Sequence, residues 1–157
     1  MEIKLVLWLP RDAVSVPVSR QVLDSCLETL GVAPDTRADI ALALSEACAN
    51  VVLHAGPGEE YEVQVSTRDR RCVIEVVNTG GRDGEPAPAS VVGAFLADDP
   101  VPVTAEHGRG LQIIDAVADN LELTSTGRRG TTVHFEKKLE WLPGAAGLYL
   151  FDVDGGG

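Results

Sequence analysis

Aromatic side chains are scarce in this chain: Phe, Trp and Tyr together make up 4% of 157 residues. The interior must therefore be assembled from Val, Leu, Ile and Ala. Cysteine is equally sparse. Cys26, Cys48 and Cys72 form an odd set without metal-ligand spacing, which predicts buried free thiols in a reducing cytosol. Basic residues are outnumbered, 13 against 24 acidic, for a net charge of −11. That balance argues against nucleic acid and anionic membrane surfaces as partners, and a basic protein surface is steered in more readily. No apolar run approaches membrane-spanning length. In the opening Met1-Glu2-Ile3-Lys4-Leu5-Val6-Leu7-Trp8-Leu9-Pro10 the apolar stretch is too short for a signal peptide, and no small-residue cleavage site follows. A cytoplasmic protein is expected.

What is present, 45% apolar and 24% charged residues, fits a single globular domain able to bury a real core. Residues 3–9 read as a strand stopped by Pro10. Pro17 suits a first helical turn, and Val22, Leu23, Cys26, Leu27 and Leu30 give an amphipathic helix over 18–30, closed by Gly31. A longer helix opens at Pro34-Asp35, runs to about His54 and ends at Gly56-Pro57-Gly58. Tyr61, Val63 and Val65 alternate with polar residues in a half-buried strand, and the next strand spans 72–77. From Asn78 to about Glu106 the chain is rich in Gly, Pro, Ala and Asp, with at most a short helix over 90–96; so long an irregular stretch reads as a lid or binding loop. A short helix is expected over 111–118, followed by a hairpin of strands 121–125 and 131–137. The apolar tail from Trp141 to Phe151 should dock on the body, ahead of a loose Gly155-Gly156-Gly157. The order β-α-α-β-β-lid-α-β-β predicts a mixed, mostly antiparallel sheet backed by helices on one face, an α/β (α+β sandwich) domain.

The informative stretch is Ser45-Glu46-Ala47-Cys48-Ala49-Asn50-Val51-Val52-Leu53-His54-Ala55. Four residues of helix advance ~400°, so Glu46, Asn50 and His54 form a drifting polar row on one face. Ile40, Leu44, Ala47, Cys48, Val51 and Val52 supply a buried face. Asn50 offers a neutral oxygen to Mg²⁺, a hard cation that takes few protein ligands. Glu46, one turn away, can draw a proton from an attacking hydroxyl. Gly108-Arg109-Gly110, read as a turn at a helix N-terminus, presents backbone amides to phosphate oxygens, and Arg109 adds charge. Asn78, at a strand end, can read a base edge or simply end the strand. His54 is assigned a helix-end role, and Arg68, Arg70, Arg71, Arg128 and Arg129 are assigned to solvated turns.

Taken together these segments resemble the GHKL ATPase superfamily, and within it the small bacterial anti-sigma-factor serine kinases of stress and sporulation control. Glu46-Ala47-Cys48-Ala49-Asn50, continuing to His54-Ala55, is similar to that family's N box. Val77-Asn78-Thr79-Gly80-Gly81 aligns with the first glycine box, His107-Gly108-Arg109-Gly110-Leu111 with the second, and Gly130-Thr131-Thr132-Val133 with the final one. The resemblance covers residues 1–138, with a lid at about 79–107, and leaves 139–157 as an apolar extension without a counterpart. It implies a Bergerat-type domain holding ATP and Mg²⁺, with Asn50 on the metal and Glu46 as base. Asn78, Gly80, Gly81, Gly108, Arg109, Gly110, Leu111 and Thr131 would contact the nucleotide. It further implies a kinase that phosphorylates a serine on an anti-anti-sigma protein, sequesters a sigma factor by partner switching, and forms a homodimer.

The chain departs from the family at the first glycine box, where Asn78 replaces an aspartate that accepts from the adenine amino group; Gly81 is also followed by Arg82. An amide keeps one acceptor, loses the charge and gains a donor. Flipped, it can accept from guanine N1–H and donate to O6, so GTP or another purine nucleotide stays open beside ATP. The alternative function is a GHKL-fold binding module or purine sensor, catalytically weak or inactive, that sequesters a sigma factor or partner without phosphorylation.

Overall fold

The computed structural model describes residues 2–54, 60–68, 70–78, 106–125 and 131–152. Strand β1 spans Ile3–Pro10, helix α1 Ser15–Leu30, α2 Pro34–His54, β2 Glu60–Arg68 and β3 Arg71–Asn78. After the undescribed 79–105 come α3, Glu106–Val117, β4, Asn120–Ser125, β5, Thr131–Lys138, and a short α4, Ala146–Asp152. The expected helix over 90–96 and nearly all of the expected lid lie outside the described residues. No described helix is long and apolar enough to cross a membrane.

The five strands pair in the order β1-β2-β3-β5-β4, and every pairing is antiparallel. The sheet is thus wholly antiparallel among the described residues, where a mixed one was allowed for, with β5 inserted between β3 and β4. Its two faces differ as period-2 alternation requires. Tyr61, Val63, Val65, Cys72, Ile74, Val76, Val133 and Phe135 are buried beneath the helices. The alternate positions, including Lys4, Glu62, Gln64, Glu75, Glu122 and His134, lie on the open face.

Helix α2 lies at the centre of the helical layer, packing against both α1 and α3 as well as the sheet. Its buried stripe is Ile40, Ala43, Leu44, Ala47, Cys48 and Val51, with Val52 only partly covered. Small residues at 43, 47 and 48 let neighbouring backbones come close, while Ile40 and Leu44 each contribute roughly 1.5–3 kcal/mol by burial. The stripe of α1 is narrower than expected: Ser15, Ser19, Leu23 and Leu27 are buried at strict four-residue steps. Cys26 lies outside it and is exposed, whereas Cys48 and Cys72 are buried. Burial pushes both of those thiols up, Cys72 to about 12, so neither is a ready thiolate.

Gly31 ends α1 at φ 86°, and its amide closes on Glu28 O at 2.9 Å. The tail docks here. Leu142 N–H donates to Gly31 O at 2.9 Å, Ala33 N–H to Glu140 O at 2.7 Å, and Val32 bridges Trp141. A Cβ on Gly31 would collide with Ala145, and one on Gly147 with the Trp141 ring. Trp141 and Phe151 pack with centroids 5.8 Å apart.

On the open face, His134 bridges two strands. Its Nδ1 lies 3.0 Å from Glu75 Oε1 on β3 and its Nε2 3.3 Å from Glu136 Oε1 on β5. Glu122 of β4 is its cross-strand neighbour, and Arg71 approaches Glu136 at 3.6 Å. Partial burial works against the charged imidazole, but hydrogen bonds and charges from Glu75 and Glu136 outweigh it and raise the pKa. The stabilisation is therefore complete below the unfolded value of about 6.5 and fades as pH rises through the higher folded value. Denaturant unfolding of wild type and His134→Gln should show the largest gap in stability at acidic pH, shrinking towards alkaline pH. A gap that is flat or widens with pH would contradict this assignment.

Candidate functional site

Three segments meet at the C-terminal half of α2. Glu46 and Asn50 are partly exposed there, one turn apart, and the first turns of α3 pack against them. Gly110 of α3 lies against both. A Cβ placed on it would lie 3.1 Å from Glu46 Oε2 and 3.5 Å from Asn50 Oδ1. The missing side chain is what lets both polar groups share the face of α3.

Helix α3 begins at Glu106, five residues before the expected start at Leu111. Gly108-Arg109-Gly110 therefore lies within the helix and is not a turn ahead of it. Glycine is tolerated in a first turn. Amides without intrahelical partners accordingly fall at 106–108, two residues earlier than expected. Arg109 is exposed, whereas Gly110 is buried and Leu111 turns into the core with Ile114. At the far end of α3, Lys137 donates to Val117 O at 2.7 Å and pairs with Asp39 of α2 at 3.2 Å. The helix is thus fixed at its C-terminus while its N-terminal turns face Glu46 and Asn50.

The sheet contributes the other side. Asn78 is the last residue of β3 and only 2% exposed. It pairs across strands with Tyr61, and Thr131 opens β5 one position beyond the Val77–Thr132 pair. Asn78 and Thr131 are thus brought to the same sheet end as backbone positions. Gly80 and Gly81 lie outside the described residues, as do the side chains of His54 and Thr131.

One group of buried residues was not singled out by motif: Ser15, Ser19, Cys48 and Tyr61. Ser15 Oγ lies 2.6 Å from Tyr61 Oη, and Ser19 Oγ 3.5 Å from Cys48 Sγ. The signal available in the sequence was two serines at four-residue steps on the apolar stripe of α1. Arg11 Nε also donates to Val51 O, at 3.3 Å, near the C-terminal end of α2.

The model of the histidine kinase-like ATPase domain matches residues 9–137. Among curated proteins, the chain is similar to the serine-protein kinase RsbW of Bacillus mycoides (strain KBAB4), 27% identical over 139 residues, covering 87% of this chain and 86% of the relative. The serine-protein kinase RsbW of Bacillus cereus (strain AH820) matches at the same identity and coverage. Such a domain implies a nucleotide, typically ATP with Mg²⁺, and the residues fit it. Among the described residues no cluster of three His, Cys, Asp or Glu forms a metal cage. Asn50 and Glu46 instead present hard oxygen donors beside a helix N-terminus, a set suited to a cation that keeps most of its water and to the phosphates it accompanies.

Gly110→Ala sets two effects against each other. Alanine should gain roughly 1 kcal/mol of helix propensity, but its Cβ pushes on the Glu46 carboxylate and the Asn50 amide. Thermal stability is expected to change little, while calorimetric affinity for ATP with Mg²⁺ falls about tenfold, or ~1.4 kcal/mol. Undiminished affinity would show that this close approach is not part of the binding site.

Proposed function

The chain belongs to the histidine kinase-like ATPase domain family, and from that premise we propose that it is an anti-sigma factor with serine/threonine kinase activity. In this reading it binds ATP with Mg²⁺ and phosphorylates a serine of an anti-anti-sigma partner; the phosphorylated partner is released and the sigma factor is bound again. The observation that carries the proposal is the approach of Gly110 to Glu46 Oε2 and Asn50 Oδ1. That proximity supports reading Glu46 as the base and Asn50 as the metal ligand beside the N-terminal turns of α3.

Each residue then has a role. Asn50 would hold the metal through its amide oxygen. The amides at 106–108 and the exposed Arg109 would take phosphate oxygens. Asn78 would read the base from the sheet end, with Thr131 beside it, and Gly80 and Gly81 would continue that contact. Leu111 supports the turn from beneath. Bound nucleotide supplies the phosphoryl group. Glu46 accepts the proton of the partner's serine hydroxyl as that oxygen becomes nucleophilic. A homodimer in the cytoplasm completes the reading, and the exposed Val6 and Trp8 on edge strand β1, 44% and 61% exposed, support a contact there.

A buried amide at position 78 favours one further reading, a purine sensor or binding module with little transfer activity. Asn78 offers a neutral acceptor and a donor together, so adenine selectivity is weaker than with a carboxylate and ATP binding loses about 1–2 kcal/mol.

Two measurements test these readings. Glu46→Ala should abolish phosphorylation of the partner serine while leaving nucleotide affinity close to wild type; a variant that still transfers removes Glu46 as the base. Titration with ATP and GTP, each with Mg²⁺, should show micromolar ATP binding, and Asn78→Asp should widen the preference for ATP. Identical preferences in the two proteins would remove Asn78 as the base-reading residue. No binding of either nucleotide would leave a protein-binding module.

A further inference from the structure

Polar side chains are seldom fully buried unless they are hydrogen-bonded, and a cluster of them asks for a reason. Ser15, Ser19, Tyr61 and Asn78 are each at most 2% exposed. Contacts and strand pairing place them at the end of the core where α2 carries Glu46 and Asn50.

The protons of this cluster can be assigned. Ser15 Oγ donates to Asp12 O at 2.7 Å, and Ser19 Oγ donates to Val16 O at 2.8 Å. Each serine has one proton, and both are committed to carbonyls at the start of α1. Ser15 must then accept from the Tyr61 hydroxyl at 2.6 Å, and Ser19 from the Cys48 thiol at 3.5 Å. Tyr61 is held protonated: burial, then the neighbouring Cys48, pushes its hydroxyl well above the ordinary tyrosine range. Donors on β2 and α2 thus converge on acceptors in α1. The first turns of α1 become a clamp between the sheet and the helix bearing the polar row.

Tyr61 is also the direct cross-strand partner of Asn78, and both are buried on the helix-facing side. Directly opposite residues in an antiparallel pair have Cβ atoms about 4.5–5.5 Å apart, so the two side chains are neighbours. The ring that anchors α1 therefore also borders the residue assigned to the base.

We propose that Tyr61 is a positioning residue of the nucleotide site, its hydroxyl fixing the Asn78 end of the pocket to α1 through Ser15, with α1 in turn held to α2 by the Ser19–Cys48 pair. This rests on the nucleotide-binding reading above. It deepens that reading by giving a hydrogen bond outside the recognised motifs the task of positioning the base-reading residue.

The test is calorimetry on wild type, Tyr61→Phe and Ser15→Ala with ATP and with inorganic tripolyphosphate, each with Mg²⁺, alongside thermal unfolding. Loss of one hydrogen bond should lower ATP affinity by up to about tenfold in either variant. Tripolyphosphate, which engages only the α2–α3 side, should bind as it does to wild type. The double variant should lose no more than either single one, because both remove the same bond. A merely structural hydroxyl would lower the melting temperature and leave the ratio of ATP to tripolyphosphate affinity unchanged, and that result overturns the proposal. Should Tyr61→Phe fail to fold, Ser15→Ala reads the same bond from its other end. Wild type binding neither ligand would bring down the nucleotide reading and this proposal with it; wild-type binding with unchanged variants brings down this proposal alone.

Discussion

The rest of the site depends on how closely α3 can approach α2. Two helices normally stand 8–10 Å apart, set by the side chains between them. At Gly110 there is no side chain, and the space a Cβ would fill is bordered by the Glu46 carboxylate and the Asn50 amide. A larger residue would turn these polar groups aside or spread the helices. The same contact explains why α2 can carry charged and amide groups in a largely apolar helix: they open onto a face that the neighbouring helix leaves clear.

That approach is held from several directions. The sheet, antiparallel throughout its described strands, supplies an apolar floor, with Phe135, Ile74 and Val63 fully buried beneath the helices. Lys137 ties the C-terminus of α3 to β5 and, through Asp39, to α2. The hydroxyl pairs at Ser15 and Ser19 tie α1 to β2 and α2. At the opposite end of α2, Gly31 at φ 86° lets the tail lie against the α1–α2 connection. The apolar extension thus closes the helical layer at the end away from Glu46 and Asn50. Two of its aromatic residues, Trp141 and Phe151, pack on one another.

The buried sheet end carries two polar side chains. Asn78 brings an amide to a buried sheet end, and Tyr61 brings a phenol beside it. The open sheet face follows a separate logic. Its bridge of Glu75, His134 and Glu136 is governed by proton concentration, whereas the helix-covered face is governed by packing.

Much of this architecture was legible in the order of residues. Alternation at 61, 63 and 65, the long period-3.6 stripe of α2 and the breaks at Pro10 and Gly31 determined the elements and the face each would bury, because periodicity acts locally. The polar row of Glu46 and Asn50 on α2 was legible for the same reason. The start of α3 was misplaced because Gly-Arg-Gly reads as a turn, yet a first helical turn leaves its amides free whichever residues occupy it. Cys26 was assigned to the interior because a sequence does not show how narrow a buried stripe will be; the crossing of α1 and α2 decides that. Only the tertiary structure decided that Ser15 and Ser19 would meet Tyr61 and Cys48, and that Gly110 would face Glu46. Those contacts join residues 29 to 64 positions apart, and their distances are set by the packing of whole elements.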